Sequence, residues 1–336
     1  MNANKRELIA VHLGEASWTD WGPEQDRKTF EVLDCVIPEE KPDLIVLSGD
    51  QLTANDVRLN ATSYYSLLGQ HLSRFGIPWC LIFGNHDDQA FEIRLPNGTI
   101  IKEPAETSRA ELLAVDQGFP LSLTQAGPKT VFGSSNYALD VHYPSAWENH
   151  AERTRPEPNG LVAMQLIFLD SGGGSLPQQL QQNQIDWFRR IYRNDTAAAA
   201  AFQHIPTYDF AYDGSLCHGM QKDPVDSVSK DPGIVHTLQQ AGNVMWLGVG
   251  HNHGNDYCCR VNRTGLEPMP SSSRQMLALC FGRHSGYGGY NRGWDRGARI
   301  YQVFLRRNVT QQSVTTEWNS WARLESGEII DRYAPV

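Results

Sequence analysis

Four short polar motifs bring together the side-chain types that hold metal ions in proteins. Imidazole nitrogens and carboxylate oxygens suit iron, manganese and zinc, and a carboxylate can bridge two ions because it has two oxygens. Two metal ions about 3.5–4 Å apart can clamp a phosphate group and hold a bridging hydroxide as the nucleophile. These residue types therefore make a metal site a candidate, and chemistry of this kind is one use for such a site. The motifs are Gly49-Asp50, Gly84-Asn85-His86-Asp87-Asp88, His204 and Gly250-His251-Asn252-His253.

Each motif follows a short apolar run that predicts a buried strand. These runs cover residues 43–48, 79–83, 199–202 and 244–248. In α/β folds ligands bind at the carboxyl ends of strands, and glycine lets the backbone turn sharply there. Taken singly, each motif has a purely structural explanation, since a Gly-Asp pair after a strand is usually a turn. Their combination in this order favours one shared site.

The rest of the chain alternates apolar runs with amphipathic stretches, which is typical of layered α and β structure. Two strand-rich layers with helices outside fit this count better than one parallel sheet. Residues 1–336 are expected to form one domain, and residues 148–160 and 172–175 to form loops. Further strands are predicted at 162–169, 276–279, 298–305 and 313–318, and helices at 24–39, 62–75, 106–117, 181–192 and 232–241.

Composition limits the class of partner. The formal net charge of −9 and pI of about 5.6 give no electrostatic signature of nucleic-acid or anionic-membrane binding. No run approaches the roughly 20 apolar residues of a membrane-spanning helix. The apolar run Leu8-Ile9-Ala10-Val11 is too short for a signal peptide, so a cytoplasmic location is expected for the chain as written.

The cysteines and the glycosylation sequons leave the compartment open. None of the six cysteines has zinc-site spacing, and their even number fits either disulfides or buried thiols. Five Asn-x-Thr sequons, more than residue usage alone predicts, hint at a secreted or vacuolar ancestor. Coincidence is the alternative explanation. The sequons begin at Asn60, Asn97, Asn194, Asn262 and Asn308.

The motifs resemble those of the calcineurin-like metallophosphoesterase superfamily, and more closely its purple-acid-phosphatase-like and fungal Dcr2-like branch. Further similar stretches are His12-Leu13-Gly14-Glu15, residues 18–26 and residues 282–289. The resemblance runs from about His12 to Arg299. It implies an α/β fold, a four-layer α/β/β/α sandwich with two mixed sheets flanked by helices.

The resemblance also implies two metal ions, divalent or trivalent, with iron, manganese or zinc all open. Asp50 would bridge them. Asn85, His204 and His251 would complete the ligands of one ion, and His12 and His253 would bind the other. The tyrosine that colours purple members has no counterpart near Asp50, so a redox-active site is not expected.

Catalytic and substrate contacts follow from the same resemblance. His86 would touch the phosphate or protonate the leaving oxygen, with Asp87 orienting its imidazole, and Asn85 would also contact the substrate. Arg283 and His284 lie in a stretch rich in glycine and tyrosine that could grip the non-reacting part of a substrate. An ordinary connecting loop is the alternative for that stretch.

The sequence departs from the family at Ala10, where the first strand normally ends Asp-x-His. Three interpretations compete. Residues 1–10 could replace a native segment that carries the Asp. The chain could be a weakened or one-metal enzyme with Glu15 or Asp20 as a substitute ligand. It could also be a catalytically silent member that binds phosphate or a protein partner.

These observations predict a metal-dependent phosphoric ester hydrolase, specifically a phosphomonoesterase that uses a metal-bridging hydroxide. Its substrate would be a phosphorylated small molecule or a phosphoprotein, with no nucleic-acid or membrane partner. The alternatives are the silent binding protein and a phosphodiesterase or nucleotide hydrolase on the same site. Losing a direct charged ligand at Ala10 would weaken metal binding, because losing even an outer partner typically costs about 10–100-fold.

Overall fold

A computed structural model describes residues 23–54, 57, 60–143, 162–211, 217–261, 277–290, 293–308 and 313–335. The predictions for Ala10, His12, Glu15, Asp20 and the 148–160 loop lie outside these residues. In the described ranges the helices are α1 (Pro23–Glu40), α2 (Ala61–Ser73), α3 (Arg109–Gln117), α4 (Gln182–Ile191) and α5 (Ile234–Ala241). A short 3-10 helix covers Tyr208–Phe210. None of these helices is long and apolar enough to cross a lipid bilayer.

Within the described ranges, the first nine strands are β1 (Ile45–Leu47), β2 (Trp79–Leu81), β3 (Phe91–Arg94), β4 (Ile100–Glu103), β5 (Tyr137–His142), β6 (Val162–Phe168), β7 (Ala198–Phe202), β8 (Cys217–His218) and β9 (Val244–Val249). The remaining strands are β10 (Cys258–Arg260), β11 (Ala278–Phe281), β12 (Gly297–Asn308), β13 (Ser313–Leu324) and β14 (Ile329–Tyr333). All predicted helices and strands in the described residues are present, with ends that shift by up to six residues, the largest shift being at β13. Helix α3 begins later than predicted because Ser108 caps it, together with the Glu111 side chain.

A seven-stranded mixed sheet forms the centre, in the order β5-β6-β7-β9-β11-β10-β8. Its four central strands, β6, β7, β9 and β11, are parallel. Strand β7 is built largely of alanine, a weak strand former, yet all five of its residues are buried. Burial on both faces, as is usual for central parallel strands, outweighs this propensity. The carboxyl ends of the parallel strands therefore meet at one edge of the sheet.

Helices and a second strand layer cover the two faces of this sheet. On one face, Trp187 and Phe188 of α4 and Leu238 of α5 join a buried apolar cluster. On the other face, Cys80 of β2 and Trp318 of β13 join a second cluster. The second layer comprises the parallel pair β1–β2 and the antiparallel sheet β12-β13-β14.

Helices α1, α2 and α3 pack on the outer side of β1–β2 through residues such as Leu72 and Leu112, both fully buried. The order of layers is thus helix, sheet, sheet, helix, which confirms the predicted fold class. The single-domain assignment stays a prediction. The sequence did not predict the β3–β4 hairpin or strands β5, β8, β10 and β14, which are short or partly exposed.

Candidate metal centre

The predicted metal-binding residues meet where parallel strands end. Asp50 follows β1, Asn85 follows β2, His204 follows β7 and His251 follows β9. Asp50 and His251 have φ of 55° and 71°, in the left-handed region that non-glycine residues seldom adopt. Such conformations persist where the surroundings fix them, and they cluster at functional sites.

A tight group of buried polar atoms lies at this point. His204 Nε2 is 2.9 Å from Asp50 Oδ2, and both side chains are almost fully buried. Asn85 Oδ1 lies 3.2 Å from His204 Nε2 and 2.9 Å from His251 Nδ1. The candidate ligand atoms of Asp50, His204 and His251 all lie within 4.8 Å of one another. A carboxylate, an amide oxygen and two imidazoles thus converge as one donor set.

Two glycines leave space for this convergence. A Cβ atom on Gly84 would lie 2.1 Å from Asp50 Oδ1, and one on Gly49 would lie 2.3 Å from His204 Nδ1. Gly49 also has φ of 100°. Any side chain at either position would displace a group of the site, so the motifs need glycine for close approach as well as for turning.

Each candidate metal-binding histidine among the described residues has one ring nitrogen held by an oxygen outside the donor set. His204 Nδ1 donates to the Ser48 carbonyl at 2.7 Å, and His253 Nδ1 lies 3.0 Å from the Tyr290 carbonyl. His251 Nε2 lies 3.3 Å from a carboxylate oxygen of Asp226. Metal-binding histidines characteristically make such a bond, which fixes the tautomer and the ring orientation. The residues present therefore fit a bound metal ion.

The electrostatics of the group favour an ionised Asp50. Burial acts to raise the pKa of the Asp50 carboxyl, but the neighbouring His204 and His86 outweigh burial and hold the pKa well below its usual value. Burial lowers the pKa of His204, yet the Asp50 carboxylate more than compensates, and the net pKa is raised. Burial lowers the pKa of His86, and Asp50 offsets only part of that effect. A negative charge is thus held at the centre of the group.

Asp87 has a different role from the one predicted. The sequence predicted that it orients His86, but its carboxylate accepts the backbone N–H groups of Asp50 at 2.9 Å, Leu52 at 3.1 Å and Gly84 at 2.7 Å. His86 instead donates its own backbone N–H to Asp50 Oδ1 at 2.7 Å. Asp87 therefore ties the loops after β1 and β2 together, which fixes the separation between Asp50 and Asn85.

A buried arginine that the sequence did not single out supports the loop after β2. Arg109 of α3 donates to Asp88 at 3.1 Å, to Asp170 at 2.8 Å, and to the carbonyls of Gly84 and Gly173 at 2.8 Å each. Only 3% of the residue is exposed. A Cβ atom on Gly173 would lie 2.4 Å from Asn85 Cβ. These contacts, here called the Arg109 network, brace the loop that carries Asn85 and His86.

His253 and His284 form a second wall of the same cavity. The cavity, of about 110 Å³, is lined by Asp50, His204 and His251 as well. The His253 ring stacks on His284, with centroids 3.7 Å apart, and on Tyr290, with centroids 4.1 Å apart. Among the described residues, His253 is not part of the group within 4.8 Å. Its predicted co-ligand His12 lies outside the described residues.

Arg283 lines the same cavity, and its guanidinium is bonded within the protein. Its guanidinium donates to the Asp256 carboxylate at 2.6 Å and to the Asp295 carbonyl from Nε at 2.9 Å and from Nη2 at 2.5 Å. These bonds hold a buried side chain in place. Arg283 thus supports the loop after β11, beside His284, and its contact with a substrate stays a prediction.

Sequence reasoning missed Asp226, Arg109 and the paired cysteines. Asp226 lies in an irregular stretch with no strand or helix signal, and Arg109 is the first residue of an ordinary amphipathic helix, α3. Cys217 pairs with Cys259, and Cys258 pairs with Cys280. No local signal predicts these contacts, because each depends on packing between segments distant in sequence.

Comparison with known proteins agrees with this geometry. The model of the calcineurin-like phosphoesterase family matches residues 11–255. A protein named "Probable inactive purple acid phosphatase 29" from Arabidopsis thaliana is 26% identical, over 89% of this chain and 74% of that protein. "Phosphatase DCR2" from Saccharomyces cerevisiae is 26% identical, over 97% of this chain and 54% of that protein. Since the family model spans more than half of the sequence, the chain belongs to the calcineurin-like phosphoesterase family.

Proposed function

We propose that this chain hydrolyses phosphate monoesters at a metal centre held by Asp50, Asn85, His204 and His251. The observation that carries the proposal is the convergence of Asp50, His204 and His251 within 4.8 Å, at the ends of parallel strands. His253, with His12, would hold a second ion. When bound, the ions would supply positive charge to the phosphate group and activate the attacking water.

The chain's own residues have definable roles in this reaction. The Asp50 carboxyl stays ionised although it is buried, because the neighbouring histidines lower its pKa. Its negative charge can therefore balance the charge of the ions. Asn85 contributes a neutral oxygen to the same point. His86, on the loop after Asn85, is buried beside Asp50. An imidazole at this position can donate a hydrogen bond to the leaving oxygen and stabilise its charge.

Turnover of para-nitrophenyl phosphate with added Mn²⁺ tests the proposal. His86→Ala should lower kcat by about 10²–10⁴-fold, the usual contribution of a positioned acid or base. His236→Ala is the matched control, because His236 is exposed on α5, and it should leave turnover unchanged. Equal turnover in an active wild type and in His86→Ala would show that His86 has no role in the reaction.

A second candidate function, binding of phosphate or a protein partner without catalysis, is supported by Ala10. The family resemblance implies an aspartate at this position, and the Arabidopsis relative is named as probably inactive. Ala10→Asp separates the two functions. A silent wild type that gains turnover through Ala10→Asp supports the binding protein, whereas an active wild type excludes it. If neither protein takes up Mn²⁺ or turns over substrate, the metal-centre proposal itself is wrong.

The same assay with bis(para-nitrophenyl) phosphate addresses phosphodiester hydrolysis. A phosphomonoesterase should show clearly higher kcat/KM for the monoester. A higher kcat/KM for the diester would contradict the monoesterase proposal while leaving the metal centre intact.

A further inference from the structure

Four cysteines of the central sheet lie in facing pairs on three neighbouring strands. Cys258 of β10 is opposite Cys280 of β11, and Cys259 is opposite Cys217 of β8. Their Cα atoms are 4.1 Å and 4.0 Å apart, and both pairs form disulfides. Because neighbouring residues of a strand point to opposite faces, one disulfide lies on each face of β10. We call these three cross-linked strands the disulfide edge.

This pairing is informative about the compartment. Stable structural disulfides form in oxidising environments and are rare where thiols are kept reduced. The free cysteines differ in setting, since Cys80 is fully buried in β2 and Cys35 is half-buried beside the Glu325 carbonyl. The four cysteines that face one another across strands are thus paired as disulfides. The two free thiols, Cys35 and Cys80, are partly or fully buried.

The glycosylation sequons are a second, independent observation. Asn60, Asn97 and Asn194 are all exposed. Asn97 lies between β3 and β4, where its Oδ1 accepts the Thr99 N–H at 3.0 Å and its Nδ2 contacts no acceptor among the described residues. The amide nitrogen of Asn97 is thus available for modification.

Asn194 is placed where a glycan would leave the metal centre open. It lies in the turn between α4 and β7, at the amino end of β7, whereas His204 follows the carboxyl end of that strand. Among the described residues, no acceptor takes a hydrogen bond from its amide nitrogen. A bulky, solvated group at this edge would therefore not enter the cleft.

We infer that this protein, contrary to the cytoplasmic location expected from its sequence, matures in an oxidising secretory compartment and carries N-linked glycans at Asn97 and Asn194. In each modification the asparagine Nδ2 attacks the anomeric carbon of an oligosaccharide carried on a lipid diphosphate. The new C–N bond forms as the C–O bond to the diphosphate breaks, the lipid diphosphate leaves, and one amide proton is released. Each protein disulfide forms as two thiols pass two electrons and two protons to a disulfide-bearing oxidoreductase.

Peptide mapping of the protein isolated from its own cells tests this inference. Peptide:N-glycosidase F in ¹⁸O-water should convert Asn97 and Asn194 to ¹⁸O-labelled aspartate. Alkylation after unfolding without reductant should label only Cys35 and Cys80. Unmodified asparagine at both positions would overturn the inference, and so would labelling of all six cysteines.

Substitutions in the third sequon position supply a matched control. Thr99 is exposed, so Thr99→Ala and Thr99→Ser are equally mild changes to the fold. Thr99→Ala should abolish the label at Asn97 and keep that at Asn194, whereas Thr99→Ser, which preserves the sequon, should keep both. A label at Asn97 that survives Thr99→Ala would show that the signal is deamidation and would contradict the inference at that site.

Discussion

The two walls of the metal centre are supported in different ways. The loop with Asn85 and His86 rests on the Arg109 network, in which one buried cation joins two carboxylates and two carbonyls. The loops with His251, His253 and His284 adjoin the disulfide edge and are packed by stacked rings. One wall depends on charge balance, and the other depends on covalent links and ring stacking.

The difference shows how each wall can fail. A buried ion network has directional bonds that fix ligand positions closely, but removing one partner leaves an uncompensated charge. A disulfide limits the freedom of the unfolded chain and tolerates small changes around it, but it depends on the oxidation state. The first wall should therefore respond to single charge substitutions, and the second to reductant.

The largest effect is expected at Arg109. Arg109→Gln leaves Asp88 and Asp170 buried without their cation and should lower the free energy of unfolding by about 3–5 kcal/mol. Urea denaturation at pH 7 measures it. Arg27→Gln is the control, because Arg27 makes only exposed ion pairs on α1 and its loss should change the free energy of unfolding far less. Equal losses in the two variants would show that the Arg109 network does not support this wall.

Removal of a disulfide should have the next largest effect. The Cys258→Ser/Cys280→Ser double variant opens a link between residues 22 positions apart and should lose about 3 kcal/mol of unfolding free energy. Cys35→Ser should lose about 0.5 kcal/mol or less. Added reductant should destabilise the wild type more than the double variant, which keeps one disulfide. Insensitivity of the wild type to reductant would contradict the role given to the disulfide edge.

A smaller effect, confined to metal binding, is expected at Asp226. Its side chain is 72% exposed, so Asp226→Asn should hardly change stability. Because Asp226 contacts the ring nitrogen of His251, its loss should weaken Mn²⁺ binding by about 10–100-fold. Isothermal titration measures the Kd, with the exposed Asp186→Asn on α4 as control. An unchanged Kd would show that Asp226 does not orient His251.

The sequence predicted the convergence of Asp50, Asn85, His204 and His251 because the signals are local. Each residue follows an apolar strand, and parallel strands bring their carboxyl ends to one edge. The roles of Asp87 and Arg283 could not be predicted in this way. Their partners, the N–H groups of the loop after β1 and the Asp295 carbonyl, reach them only through tertiary packing.

The fold class was predictable from alternating apolar runs, but the edge elements were not. Strands β8 and β10 have two and three residues, too short for a periodic signal. Without their register the pairing of Cys258 with Cys280 could not be chosen, since six cysteines allow 15 complete pairings. The β3–β4 hairpin carries an Asn97-Gly98 turn signal, but its strands lack a continuous buried face.

The central claim is that Asp50, Asn85, His204 and His251 form a metal site, and Mn²⁺ titration of His204→Ala tests it most directly. His204 contacts Asp50 and Asn85 and is almost fully buried, so its loss should weaken binding by at least about 10–100-fold. The exposed His236→Ala variant should bind Mn²⁺ as the wild type does. Wild-type affinity in His204→Ala would contradict the account.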